Sequence, residues 1–242
     1  MNIIVNGVLG RMGQTMVDMI SQRPDMALAA GVDVRAEGEL YYKELSQAPA
    51  ADVLVDFSFH TSISEVLRYA CTNAMPVVVC TTGHTEQELA QIEEASKTIP
   101  IFHSGNMSVG VAALCAMAKK AAALFPDADI EIIETHHNHK KDAPSGTALM
   151  LAKAMQEARG ETELVFGRHG IQPRQKGEIG IHSVRRGEIV GIHEVQISTP
   201  AQTLTLKHEA HSRALFAEGA LAAAEFLLHC PAGLYDMQDI VR

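Results

Sequence analysis

Several features that would narrow the chain's class at once are missing. The four cysteines, Cys71, Cys80, Cys115 and Cys230, are scattered with no CxxC pair. Buried, reduced thiols of a cytoplasmic protein are therefore expected. No apolar run reaches the roughly 20 residues of a membrane span, and Met1 leads straight into an apolar strand where a secretory signal would stand. Basic residues are outnumbered: the net charge is −9. That balance excludes a general nucleic-acid or membrane-surface binder, so any cationic site must be local. Internal repeats and low-complexity segments are absent. What is left is a soluble globular composition, 47% hydrophobic and 20% charged over 242 residues, enough for one large domain or two small ones.

Asn2–Asn6 is a buried-strand run, followed by Gly7-Val8-Leu9-Gly10-Arg11-Met12-Gly13 and a helix through Ser21. Strand, glycine turn and helix form the context of a dinucleotide fingerprint, here with GxxGxxG spacing. Gly7 allows the tight turn, Gly10 close approach to a pyrophosphate, and Gly13 close helix–strand packing. The alternative is a glycine turn serving only unusual backbone angles. A second apolar run, 27–32, ends at Asp33, placed to accept from a ribose 2′-hydroxyl, whereas Arg35 can meet a 2′-phosphate or remain a solvated loop charge. Nucleotide preference stays open.

Further strands are expected at 52–57, 75–79 and 99–102, with helices at 61–73 and 85–96 between them. This alternation predicts an α/β fold with a Rossmann-like parallel sheet. Ligands of such sheets bind beyond the carboxyl ends of the strands, which makes Thr81, Thr82 and Asn106 candidates for the nicotinamide end. After Ser108 the pattern changes. A long helix is expected over 109–125 and a strand over 129–133. Antiparallel strands are expected at 178–184, 188–198 and 202–210, with turns at 185–187 and 199–201. A helix over 214–229 then follows. The second domain is therefore mixed α+β, at 108–213, and the last helix returns to the first domain, 1–107 with 214–242.

One stretch carries the chemistry: Glu134-Thr135-His136-His137-Asn138-His139-Lys140-Lys141-Asp142-Ala143-Pro144-Ser145-Gly146-Thr147-Ala148. A helix is expected over 148–158, capped by Ser145 or Thr147, with orphan N–H groups near Gly146 and Thr147. Such a helix end holds carboxylate or phosphate, and His137 and Lys140 can face the same anion. Imidazole is the side chain best suited to proton transfer near neutral pH, which makes His136 a reasonable proton donor. The combination points to a small carboxylate substrate that gains a proton. His139 and Lys141 alternate with these positions and read as exposed or structural, and Asp142 as a loop-ordering acceptor. The imidazoles could also suggest a metal site. They lack an acidic or cysteine partner at familiar spacing, and Lys140 would repel a cation, so no metal is expected.

With these residues in hand, the chain resembles the dihydrodipicolinate (4-hydroxy-tetrahydrodipicolinate) reductase family over essentially its whole length. The most specific match is Glu134-x-His136-His137-x-x-Lys140-x-Asp142-Ala143-Pro144-Ser145-Gly146-Thr147-Ala148. In order around it stand the Gly-Arg-Met-Gly ending at Gly13, Asp56-Phe57-Ser58, Thr81-Thr82-Gly83, Asn106-Met107-Ser108, and Arg186-Gly187-Glu188 with Gly191. His208-x-Ala210-x-Ser212-Arg213 and Gly233-Leu234-Tyr235-Asp236-Met237 complete the set.

The resemblance implies a cytoplasmic enzyme of lysine and diaminopimelate biosynthesis that uses NADH or NADPH to reduce a cyclic dicarboxylate. It also implies a homotetramer built on the second domain's sheet. His136 would be the acid/base residue and Lys140 the proton donor. His137, Gly146 and Thr147 would hold the substrate carboxylates. Gly7, Val8, Leu9, Gly10, Arg11, Met12, Asp33, Cys80, Thr81, Thr82, Ser104, Gly105, Asn106 and Met107 would line the cofactor. The chain departs from the family pattern at Cys80, where glycine is usual; at Asp33-Val34, where some members carry Glu-Arg; and at Ile192, where many carry glutamate.

Overall fold

The computed structural model describes residues 1–160 and 162–242. The first half runs β1 (Asn2–Asn6), α1 (Arg11–Ser21), β2 (Ala27–Val32), β3 (Tyr41–Tyr42), β4 (Val53–Asp56), α2 (Ile63–Thr72), β5 (Val77–Val79), α3 (Glu86–Ser96) and β6 (Pro100–His103). Next come α4 (Val109–Leu124), β7 (Asp129–His136), α5 (Gly146–Arg159), β8 (Leu164–Phe166), β9 (Ile179–Arg185), β10 (Gly191–Thr199) and β11 (Gln202–Ala210). The chain closes with α6 (Ala214–Leu227), β12 (Gly233–Tyr235) and α7 (Met237–Ile240). Two compact units result: Met1–Ser108 with Ala214–Ile240 and Arg242, and Val109–Arg213 with Val241.

In the first unit a seven-stranded sheet has the order β12-β6-β5-β4-β1-β2-β3, and every pairing is parallel. β1, β4 and β5 are buried along nearly their whole length, as expected where helices cover both faces of a parallel sheet. The order reverses between β1 and β4, so the crevice there is the natural ligand position of such a fold. Local chemistry sets the boundaries. Thr85 and Glu88 form a reciprocal capping box at the start of α3, satisfying two otherwise orphan donors. Gly219 lets α6 lie close to the backbone: a Cβ there would stand 1.6 Å from the Met107 carbonyl oxygen.

The second unit's sheet has the order β11-β10-β7-β9-β8. β10 is antiparallel to both β7 and β11, while β9 is parallel to β7 and β8 to β9. One expectation fails here: the strands flanking Arg185-Arg186-Gly187 do not form a hairpin, because β7 lies between them. The loop instead bonds across to the end of β7, with Arg186 N donating to His136 O and Asn138 N to Gly187 O. β3, β8 and β12, two or three residues each, were not expected from the sequence pattern. β7 also runs three residues past its expected end, so Glu134, Thr135 and His136 are strand rather than loop.

That extension matters because strand side chains alternate faces. Ile130 and Ile132 join Ile179, Ile181, Val195, Ile197, Leu151 and Met155 in the core of this unit. Glu134 and His136 continue the same face of β7, and His193 that of β10. One face of the sheet is apolar at one end and polar at the other.

Candidate active site

In the first unit, the β1/β4 crevice is a cavity of about 690 Å³. Its lining includes Gly7, Gly10, Arg11, Met12, Asp33, Arg35, Lys43, Phe57, Ser58 and Phe59. Gly7 adopts φ +76°, and a Cβ there would meet the Phe57 carbonyl at 2.7 Å. A Cβ on Gly13 would stand 2.3 Å from the Gly7 oxygen. Backbone therefore approaches backbone at two glycines, and nothing larger fits. Gly10 caps α1 without a side chain, and the first turn holds no acidic residue, so the helix start faces the crevice without a competing anion. The residues fit a dinucleotide's pyrophosphate.

Not every expected contact lines this cavity. Val8 is buried beneath Gly31, and Leu9 lies outside the lining. Cys80, Thr81, Thr82, Ser104, Gly105, Asn106 and Met107 lie outside it too, on the segments that follow β5 and β6. Thr81 donates to Asp56 at 3.4 Å, and Ser104 Oγ donates to the Asn106 carbonyl at 3.0 Å. Asp33 is 13% exposed and accepts from the Arg35 backbone, whereas the Arg35 side chain is 75% exposed.

Asp56, quoted in the sequence only as part of a motif, is the hub of this edge. It accepts from Asn6 Nδ2 at 2.8 Å and from Ser58, and is fully buried. Burial pushes its carboxyl above the usual carboxylate range, with the hydrogen bonds opposing. Nearby, His60, His84 and His103 meet edge to face. Burial lowers the pKa of His84 and His103.

The second unit gathers the chemical stretch around Glu134, which is 0% exposed. Arg185 donates to both carboxylate oxygens, at 2.8 and 2.7 Å. Ser145 N–H donates to Oε1 at 3.1 Å, and His136 Nδ1 lies 2.6 Å from Oε2. Desolvation opposes ionisation here, but hydrogen bonds from His136 and Arg185 outweigh it and hold the carboxyl well below its usual range. Ser145 caps α5, accepting from Ala148 N at 3.2 Å, and shares a hydrogen bond with His193 Nε2 at 3.0 Å. Gly146 and Thr147 thus occupy the first two helical positions. His193 sits opposite Glu134 across the strands and edge-on to His136, centroids 5.1 Å apart. Burial first, then the neighbouring His136, lowers its pKa to about 4.

Lys140 pairs with Asp142 at 2.9 Å, and the Asp142 carbonyl accepts from Arg185. His137 donates its backbone N–H to Ile189 O, and its Nδ1 is buried without a partner. His139 is exposed. Among the described residues, no three His, Cys, Asp or Glu side chains assemble a metal ligand set. Sequence reasoning passed over Arg185 and His193. Both sit far along the chain from Glu134, and only strand pairing brings them together.

The family description "Dihydrodipicolinate reductase, N-terminus" matches residues 1–107, and "Dihydrodipicolinate reductase, C-terminus" matches residues 110–241. The chain belongs to the dihydrodipicolinate reductase family. It is thereby one of a family of NAD(P)H-dependent oxidoreductases. The 4-hydroxy-tetrahydrodipicolinate reductase of Caldanaerobacter subterraneus subsp. tengcongensis is 44% identical, covering 99% of this chain and 98% of its own. That of Clostridium novyi is 40% identical with the same coverage. Among solved structures, the dipicolinate-bound dihydrodipicolinate reductase from Paenisporosarcina sp. TG-14 is similar in fold. Its TM-score is 0.85, at 24% identity and 99% coverage of both chains.

Proposed function

We propose that this family member uses NADH or NADPH to reduce the cyclic dicarboxylate 4-hydroxy-tetrahydrodipicolinate to tetrahydrodipicolinate, in lysine and diaminopimelate biosynthesis. The observation that carries the reading is His136, bonded through Nδ1 to a buried carboxylate and gathered with the start of α5 around Glu134. The bound nicotinamide supplies a hydride. The 4-hydroxyl leaves as water to give a conjugated imine, and hydride addition to that imine leaves negative charge that a proton must meet. His136 serves as the acid/base residue, and Lys140 as proton donor once a substrate carboxylate competes with Asp142 for its ammonium group. Well-placed donors at developing charge are worth a few kcal/mol in a closed site. His137 and the N–H groups of Gly146 and Thr147 hold the two substrate carboxylates.

Gly7, Gly10, Arg11 and Met12 take the pyrophosphate, and Asp33 the ribose hydroxyls. Val8 and Leu9 shape that turn, and Cys80–Thr82 with Ser104–Met107 take the nicotinamide end. On the same reading residues 1–107 with 214–242 are the dinucleotide-binding domain. Residues 108–213 bind substrate and support a cytoplasmic homotetramer, which sedimentation would test. The reaction is tested by nucleotide oxidation with freshly coupled aspartate semialdehyde and pyruvate. Turnover with either nucleotide is expected, and turnover with neither overturns the reading.

A further inference from the structure

Glu134 is a carboxylate with no solvent, and its acceptor positions are fully used. Each oxygen receives one Arg185 N–H. Oε1 takes a second hydrogen from the Ser145 backbone and Oε2 faces His136 Nδ1. The Ser183 hydroxyl, opposite Glu134 on β9, hydrogen-bonds the same carboxylate, so a carboxylate's usual lone-pair sites are exhausted. Because this carboxyl is held ionised by its donors, the hydrogen at the 2.6 Å contact must come from the imidazole. That fixes His136 with its ring proton on Nδ1 and leaves Nε2 bare when the ring is neutral.

The geometry around Nε2 agrees. Gly191 leaves room beside it: a Cβ at that position would stand 3.1 Å from Nε2. The ring meets Glu134 from its own strand, is flanked in register by Arg185 of β9 and stands edge-on to His193 of β10, with the Lys140–Asp142 pair on the following loop. Among the described residues, Glu134 is the carboxylate bonded to the imidazole, and Asp142 is engaged by Lys140. The same carboxylate, through Ser145 N–H, holds the residue that caps α5.

We propose that Glu134 is the positioning residue of the site. Through Oε2 it makes Nε2 the nitrogen of His136 that exchanges the proton, and through Oε1 it pins the first turn of α5 to that imidazole. This rests on His136 being the acid of the proposed reduction. Arg185 supplies the countercharge that lets the carboxylate stay ionised while buried.

The test is long-range ¹H–¹⁵N correlation on ¹⁵N-histidine-labelled protein above the imidazole titration range, with the His136 signal assigned by loss in His136→Gln. The wild type is expected to show protonated Nδ1 and bare Nε2; the opposite tautomer overturns the proposal without any variant. Glu134→Gln should mix or reverse the tautomer and lower kcat at least about tenfold, by analogy with loss of an imidazole's carboxylate partner, at unchanged nucleotide Kd. Unaltered tautomer and kcat in that variant also overturn it. Because Glu134→Gln leaves Arg185 without countercharge, Glu134→Gln/Arg185→Met is measured beside it and should give the same tautomer change. Failure of the broader reading is separate. A wild type that oxidises neither nucleotide with the heterocycle sinks the reduction, whatever the tautomer, whereas a turning-over wild type with the opposite tautomer sinks only the role of Glu134.

Discussion

The two units build their candidate sites by different physical means. The floor of the crevice in the first is set by backbone: glycines that admit no Cβ and a helix start with no side-chain cap. The polar end of the second is made by side chains bonded to one another, Glu134 to Arg185, Ser145 and His136, and Ser145 to His193, while Arg185 Nε and His193 Nδ1 are buried without a partner. A backbone cradle specifies shape and tolerates many sequences around its glycines. A hydrogen-bond network specifies orientation, and removing one member leaves another buried and unpaired. Substitutions should accordingly damage binding in the first unit and turnover in the second.

The largest effect should fall on turnover. His136→Ala is expected to lower kcat by about 10²- to 10⁴-fold while nucleotide Kd, read by fluorescence titration, stays unchanged. Near-wild-type kcat would remove the chemical half of the contrast. Next comes the acid sensitivity of the network. Burial lowers the folded pKa of His193 to about 4, against roughly 6.5 in an unfolded chain. Between those values the unfolded state binds the additional proton. Stability is therefore full above about pH 6.5 and declines as pH falls toward 4, by roughly 3 kcal/mol in total. Urea midpoints at several pH values should show this slope flattened in His193→Gln.

Gly13→Ala should cost about 1–3 kcal/mol through overpacking against backbone and weaken nucleotide binding. Gly146→Ala, with nothing within 4 Å of its Cβ position, should fold normally. Calorimetry on both decides whether the cradle is as unyielding as its contacts imply. Ser145→Ala should lose about 1 kcal/mol with the helix cap, raise KM for the dicarboxylate and leave nucleotide Kd alone. The smallest effect concerns the second phosphate. With Asp33 in the crevice and Arg35 largely solvated, kcat/KM for NADH should at least equal that for NADPH, and a strong NADPH preference would show a cation dominating there.

The sequence made the parallel sheet legible because its strands are short apolar runs alternating with helices, and the family motif made the chemical stretch legible. Pairing was harder to read. Period-two patterning marks a strand without naming its neighbour, so β9 and β10 looked like a hairpin until β7 was found between them. The same blindness hid the network. Glu134 meets His193 and Arg185 only through the registers of β7 with β10 and β9. A lone histidine on an alternating strand gives no sign of such company. β3 and β12, two and three residues long, are held by an existing sheet edge and carry too little pattern to stand out.

The return of α6 has a consequence for how the protein is made. Its Ala217, Ala220, Leu221, Ala224 and Leu227 are buried, and it packs on α1, β4, β5 and β6. The N-terminal sheet thus waits for a helix made much later in synthesis before its own interior is closed. A nascent chain halted near residue 213 would hold its second unit's sequence complete while the N-terminal sheet still exposed the surface meant for that helix, a target for chaperones during synthesis.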